Sequence, residues 1–332
     1  MKDVYRNMTS KERVWINRSI KTIRYHRLAY KTEQSYCGWI RRYILFLRTI
    51  DPRKSSKEKV EAFLTYLVVE RQLARSTQDQ AFNALRYFYT EVLGKPFGEI
   101  RAVRSKRPAR KRTSVAPEKV RAFLEDVPNK GGYPCRLIGY MLYGMGLRLD
   151  ETLSIRIKDV DFAQSRIVLR VTKGNKDRIR PIPCNLVEPL REQVIRAKGT
   201  YGQARLQEIP VKLPGALARR YPNAKTSFSW FWLFPLKNPS PNPRNRSEKV
   251  WWHCLPQTVQ AAFQVAARKH DLEAIMTPHV LRHCWASHEY EKTRNIVQIQ
   301  QALAHKNIET TRIYIHQDAE AGCQGEHWKV SV

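Results

Sequence analysis

The sequence predicts a mainly α-helical chain with one small antiparallel β-sheet, arranged as a helical N-terminal bundle and a larger C-terminal domain. Three observations carry this. Apolar residues recur at offsets of three and four through most of the first hundred residues. One pair of alternating runs, 166–171 and 178–183, flanks the turn signal TKGNKD. Between the two halves lies a run too basic to pack in a core, with Arg or Lys at seven of the twelve positions from Arg101 to Arg112.

Taken in order, residues 1–25 are basic and polar with only a weak period, and read as an N-terminal extension. Residues 32–48 place Tyr36, Trp39, Ile40, Tyr43, Ile44 and Leu47 on one helical face. Ser55 and Glu58 form a capping-box pattern ahead of Val60, Phe63, Leu64 and Leu67. Ser76 and Thr77 are expected to cap a third helix bearing Ala81, Leu85, Phe88 and Tyr89, which Gly94, Pro96 and Gly98 end. The bundle is therefore expected over 26–100, and a basic linker over 101–116. The linker's Arg101, Arg104, Lys106, Arg107, Arg110, Lys111 and Arg112 suit contacts to phosphates. A nuclear-import signal has a similar composition.

The second domain is expected over 117–316. Pro117 and Glu118 open a helix through Leu124, and another runs from about Cys135 to Tyr143. RIVLRV and RIRPIP pair as a hairpin, with Lys173 in its turn. Residues 190–255 are an aromatic and basic insertion. Leu213-Pro214-Gly215 starts a short helix with Arg219 and Arg220, and Tyr221-Pro222 stops it. Trp230, Trp232, Trp251 and Trp252 follow, interleaved with Lys and Arg. Residues 317–332 form a tail that either docks on a neighbouring copy or is disordered.

Composition narrows the partner. The 332 residues suit two domains, each with its own core. Sixty Lys and Arg against 30 Asp and Glu give a formal charge of +30, which points to a polyanion, nucleic acid first. No run approaches the roughly 18 apolar residues of a spanning helix, and the N-terminus lacks an apolar secretory region. The expectation is a cytoplasmic protein with no membrane partner. Six cysteines (37, 135, 184, 254, 284 and 323) are scattered without a C-x-x-C, as reduced thiols are. His279 and His283 have a metal-like i,i+4 spacing, but Arg282 between them disfavours a cation, so neither metal nor cofactor is expected.

The chemistry concentrates in TPHVLRHCWASHEYE and LAHKNIETTRIYIH. His279 and Arg282 share one helix face, with Thr277 as cap and Pro278 at the first position. His305 and Tyr314 follow. A phenol with pKa near 10 is a weak nucleophile, and phosphoryl transfer needs fixed cations around the non-bridging oxygens. Arg148, with Glu151 three residues on, and Lys173 supply cations upstream. Each residue alone is ambiguous; the set in this order is specific.

Arg148, Lys173, His279-x-x-Arg282, His305 and Tyr314 in chain order resemble the catalytic set of the tyrosine recombinases, over about half the chain. The resemblance implies a helical, SAM-like core-binding domain followed by a catalytic domain. It implies Tyr314 as nucleophile, Lys173 as the general acid with Lys176 as its competitor, and Glu151 as an orienting residue. It also implies a homotetramer on two DNA sites. The LPGALARRYP segment, the aromatics after it and RLAYKTEQSYCGWIRRYILFL are similar to the integron integrases, over about 28–317. Members of that subgroup recombine duplex attI with attC sites folded as single-stranded hairpins. Unstacked bases need aromatic platforms, worth roughly 1–3 kcal/mol per base. Trp230, Trp232, Trp252 and His253 are the candidates, with ordinary core packing the other reading for the tryptophans.

The sequence departs from that pattern in places. Ala304 stands where the family more often has Gly, Met145 where Thr is more typical, and Trp252-His253-Cys254 where a basic residue and two histidines are more usual. A conventional double-strand recombinase, a type IB topoisomerase and a non-enzymatic DNA-binding protein remain alternatives.

Overall fold

The structure, a computed structural model, describes residues 2–105, 114–170, 177–213, 215–273, 275–304, 307, 308 and 311. The chain divides into two units, Met1–Lys111 and Arg112–Val332. Among the described residues no helix is long and apolar enough to cross a membrane.

The first unit is a bundle of α1 (Ser10–Tyr25), α2 (Tyr30–Phe46), α3 (Ser56–Val69) and α4 (Arg75–Tyr87), the last running on as a π turn over Phe88–Val92. Ser55 and Glu58 form the expected capping box at α3. Two expectations change. Residues 1–25 are not an appendage to the bundle: Thr9 and Glu12 cap α1 reciprocally, and Ile16, Ile20 and Ile23 lie in the same core as Ile40, Phe63 and Leu85. The apolar face of α1 is narrow, so its many charges mask the period in the sequence. Its Arg24 also holds the buried Glu33 of α2 through two 3.0 Å hydrogen bonds. At α4, Ala74 is the N-cap, and Ser76 and Thr77 lie inside the first turn. The start of the expected linker packs on this bundle. The Val103 carbonyl accepts from Gln78 at 2.6 Å, and Arg104 pairs with Asp79 at 2.9 Å.

The second unit builds one core from α5 (Pro117–Glu125), α6 (Cys135–Met145), α10 (Pro256–Lys269) and α11 (Pro278–Thr293), closed by a sheet. In that sheet β1 (Val160–Asp161), β2 (Arg166–Leu169) and β3 (Arg178–Pro181) run antiparallel in the order β1-β2-β3. The register sets Ile167 opposite Arg180 and Leu169 opposite Arg178. Cross-strand partners share a face. The apolar, buried face of β2 is therefore continued on β3 by two arginines, while Ile179 is exposed.

The expected insertion has its own small core. The long α8 (Cys184–Leu206) leads to α9 (Gly215–Arg220) and to the hairpin of β4 (Ser240–Asn242) and β5 (Asn245–Val250). Val211, Leu213, Phe231, Trp232 and Trp251 pack together between them. The basic Pro-rich stretch is thus a paired hairpin, and Arg244, Arg246 and Lys249 stand exposed on it.

Candidate active site

The site begins where α6 ends. Gly146 is its C-cap, at φ 63°, a left-handed conformation that favours glycine. Two residues later Arg148 is the N-cap of α7 (Leu149–Leu153). The Glu151 carboxylate turns back on it, accepting the Arg148 backbone N–H at 3.0 Å and its Nη1 at 2.6 Å. Both the backbone and the side chain of Arg148 are therefore held by one carboxylate. The Arg148 side chain keeps 37% of its surface open.

Arg282 comes to the same place from α11, where Thr277 caps the helix and Pro278 is its first residue, as the sequence indicated. It is 1% exposed. Its Nη1 donates to the Gly146 carbonyl at 2.7 Å and its Nη2 to the Leu303 carbonyl at 2.6 Å, and Nη1 lies 3.6 Å from Glu151. Arg148 Nη2 reaches the same Leu303 oxygen at 3.4 Å. Leu303 ends α12 (Ile296–Leu303), where Ala304 turns the chain at φ 48°. Two arginines 134 positions apart in sequence thus converge on one helix end. One turn before Arg282, His279 is exposed, with its ring 4.6 Å from that of the buried His283.

A third arginine, absent from the sequence selection, completes the cluster. Arg178 on β3 is 9% exposed and lies 2.8 Å from Glu151, while its Nη1 donates to the Ala302 carbonyl at 2.5 Å. Alternation in RIRPIP makes it look solvated. Its register opposite Leu169 is what turns it inward. Burial raises the Glu151 carboxyl, but the Arg148 backbone N–H and the guanidiniums of Arg178 and Arg148 outweigh it and hold it below its ordinary value. Burial pushes Arg178 down, with Glu151 opposing. Three cations around one carboxylate leave a positive centre fit for a phosphate. Among the described residues no three His, Cys, Asp or Glu side chains are grouped to hold a metal ion.

In the insertion, Trp232 resolves to core: it is 6% exposed, its Nε1 donates to the Trp251 carbonyl at 3.0 Å, and Arg156 stacks on it at 3.8 Å. Arg156, also missed, is buried and donates to the Trp230 and Lys212 carbonyls, pinning the insertion beside α7. Burial brings its guanidinium down to about 10. Trp230, Trp252 and His253 are half-buried, and the rings of Trp252 and His253 lie 5.6 Å apart. Arg219 and Arg220 are exposed on α9. A groove of about 660 Å³ in the first unit, lined by Trp39, Arg42, Phe46, Phe63, Tyr66 and Arg71 among others, includes none of the candidate catalytic or DNA-binding residues. Lys173, Lys176, His305 and Tyr314 lie outside the described residues, as do Lys106, Arg107, Arg110, Lys111 and Arg112.

Comparison with known proteins gives the family. Residues 114–321 match the phage integrase family, and residues 15–99 match the phage integrase N-terminal SAM-like domain. The chain is 36% identical over 296 residues to an integrase/recombinase of Escherichia coli, covering 89% of this chain and 86% of that protein. It is 30% identical over 201 residues to the tyrosine recombinase XerA of Pyrococcus furiosus, covering 60% and 56% of the two chains. Among solved structures, XerH site-specific recombinase bound to palindromic difH substrate aligns with a TM-score of 0.59 at 19% identity, over 88% of this chain and 79% of that one. The Tn1549 transposon integrase in complex with transposon right end DNA aligns with a TM-score of 0.58 at 15% identity, over 93% and 98%. At these identities the structural likeness shows the shared fold. Family and fold agree: this chain belongs to the phage integrase family and is a site-specific tyrosine recombinase.

Proposed function

We propose that the chain is an integron integrase, which cleaves and rejoins DNA through a 3′-phosphotyrosyl intermediate. The observation that carries the chemistry is the convergence of Arg148 and Arg282 on the Leu303 carbonyl and Glu151. In this reading the two guanidiniums hold the non-bridging oxygens of the scissile phosphate and stabilise the charge that develops there. The Tyr314 oxygen forms a bond to phosphorus as the bond to the 5′ oxygen breaks. His279 takes the phenol proton, Lys173 delivers one to the departing 5′ oxygen, and His305 donates a hydrogen bond to the phosphate. Glu151 orients the cations and is not a base. The phosphotyrosyl bond retains the energy of the broken phosphodiester, as in type IB chemistry, so rejoining needs no energy-rich cofactor.

The DNA partners are duplex attI and a folded single-stranded attC hairpin, with four copies of the chain on two sites. Support for this finer reading comes from the integron-like segments and from the insertion. There Trp230, Trp252 and His253 keep part of their surface open, and the same insertion exposes Arg219 and Arg220. Trp232 has its faces and its N–H occupied, so it supports the platform from behind. The similarity to XerA favours a second reading, a conventional recombinase that acts on duplex sites.

Covalent trapping tests both. Purified protein is offered nicked suicide DNA as a hairpin with bulged bases and as its fully paired duplex. The integron reading expects a hairpin adduct that is lost when the bulges are deleted. Equal or faster reaction of the duplex supports the conventional reading instead. Tyr314→Phe should abolish adducts and spare DNA binding; an adduct that persists removes Tyr314 as nucleophile.

A further inference from the structure

Arg178 joins Arg148 and Arg282 in bridging Glu151 and the end of α12, and it does so from the sheet. Its Nη2 lies 2.8 Å from Glu151 Oε2, and its Nη1 donates to the Ala302 carbonyl at 2.5 Å. Glu151 in turn holds Arg148 through Oε1 at 2.6 Å. The carbonyl next to Ala302, that of Leu303, accepts from Arg282 at 2.6 Å and Arg148 at 3.4 Å. The contacts close into a ring: carboxylate, Arg148, end of α12, Arg178, carboxylate. Burial assigns roles within it. Arg148 is 37% exposed and can meet a ligand, whereas Arg178 is 9% exposed and lies behind.

We propose that Arg178 is a positioning residue for strand cleavage, fixing the end of α12 against Glu151 so that Arg148 and Arg282 meet the phosphate in a preset geometry. The inference rests on the reading of those two arginines as the phosphate clamp. The physical reason for an arginine is its planar fork. It spans a carboxylate and a carbonyl at once, and a lysine ammonium at the end of a flexible stem does not reproduce that span. Without Arg178 the last carbonyls of α12 lose a charged donor, and among the described residues Glu151 keeps Arg148, at the N-cap of α7, and Arg282, from α11, as facing cations. A small displacement of a clamp costs rate far more than affinity, because the geometry matters most in the transition state.

The test is single-turnover adduct formation on nicked suicide DNA at saturating protein, across the acid and neutral pH range, with DNA affinity and thermal melting measured alongside. The variants are Arg178→Met, Arg178→Lys and, on the same strand, Arg180→Met. Arg180 is also turned inward but donates to the Met145 carbonyl at 2.9 Å. Arg178→Met is expected to bind DNA within about threefold of the parent and to form adduct about a hundredfold more slowly. The acid limb of its rate profile should move to higher pH, since Glu151 has lost one cation. Arg178→Lys returns the charge, and should restore the acid limb while recovering only part of the rate.

An unchanged rate and pH profile in Arg178→Met overturns the proposal. So does a rate loss matched by Arg180→Met with the acid limb unmoved, which makes the role merely structural. If Arg178→Met does not fold, Arg178→Lys decides: a parental rate overturns the proposal, and a slowed rate with parental affinity supports it. Tyr314→Phe run in parallel separates the two levels. An adduct in that variant overturns the reading beneath the inference, whereas its loss together with a normal Arg178→Met overturns the inference alone.

Discussion

Arg282 and Leu303 are joined by a 2.6 Å hydrogen bond from a guanidinium that is 1% exposed to the last carbonyl of α12. The same guanidinium holds the Gly146 carbonyl at 2.7 Å, so one side chain ties the end of α6 to the end of α12. Arg282→Met removes a buried charge and leaves those two carbonyls and Glu151 short of a partner. Removing one member of a buried pair costs about 3–5 kcal/mol. Chemical denaturation should show a loss of that size, and Arg282→Lys a smaller one.

Glu151 links stability to pH. Its carboxyl lies below its ordinary value of 4.5 in the folded chain, despite burial, because Arg148 and Arg178 favour its charged form. A group with a depressed folded pKa contributes stability that is fully present above the unfolded value and is lost as pH falls through the folded one. The parent is therefore expected to lose this contribution below about pH 4.5. Glu151→Gln should be less stable than the parent at neutral pH, and the difference should shrink as pH falls through that window. Denaturation curves at several acid pH values test this, and a constant difference would count against it.

Ala304 carries a backbone cost that the sequence already hinted at. It caps α12 at φ 48° and ψ 50°, a conformation that costs a residue with a Cβ about 1–2 kcal/mol. Glycine removes that cost but brings about 0.5–1 kcal/mol of extra unfolded-state entropy. The strain relief is the larger of the two, so Ala304→Gly should stabilise the chain by roughly 0.5–1 kcal/mol. A higher denaturation midpoint with an unchanged slope is the expected readout.

Gly146 is constrained twice. Its φ is 63°, and a Cβ there would run into the ring of Trp285. Gly146→Ala should cost more than the roughly 1 kcal/mol of conformational strain alone, because Trp285 must also shift. It should also slow adduct formation, since the Gly146 carbonyl positions Arg282. The pairing of Gly146→Ala with Trp285→Leu checks the steric part: the double variant should lose less than the sum of the singles.

Much of the fold was legible because it rests on local rules. The helical periods of α2, α3, α5 and α6, the capping box at Ser55, the cap at Thr277 and the hairpin around TKGNKD are written in neighbouring residues. The spacing of His279 and Arg282 on one helix face was legible for the same reason. The helix Ser10–Tyr25 was not, since its apolar stripe is only a few residues wide among many charges.

What the sequence determined by itself was the order and type of the chemical groups, together with a charge of +30 that calls for a polyanion. The tertiary structure decided which of the many cations share a centre. Arg178 and Arg180 look like solvated strand residues until the register places them opposite Leu169 and Ile167. Trp232 looked as fit for a base as Trp252 until packing buried it against Trp251 and Arg156. Arg148 and Arg282 meet because α6 and α12 end beside the N-terminal half of α11, where the terminal carbonyls of Gly146 and Leu303 need donors. Such convergence depends on contacts between residues far apart in the chain, and no local period or spacing encodes it.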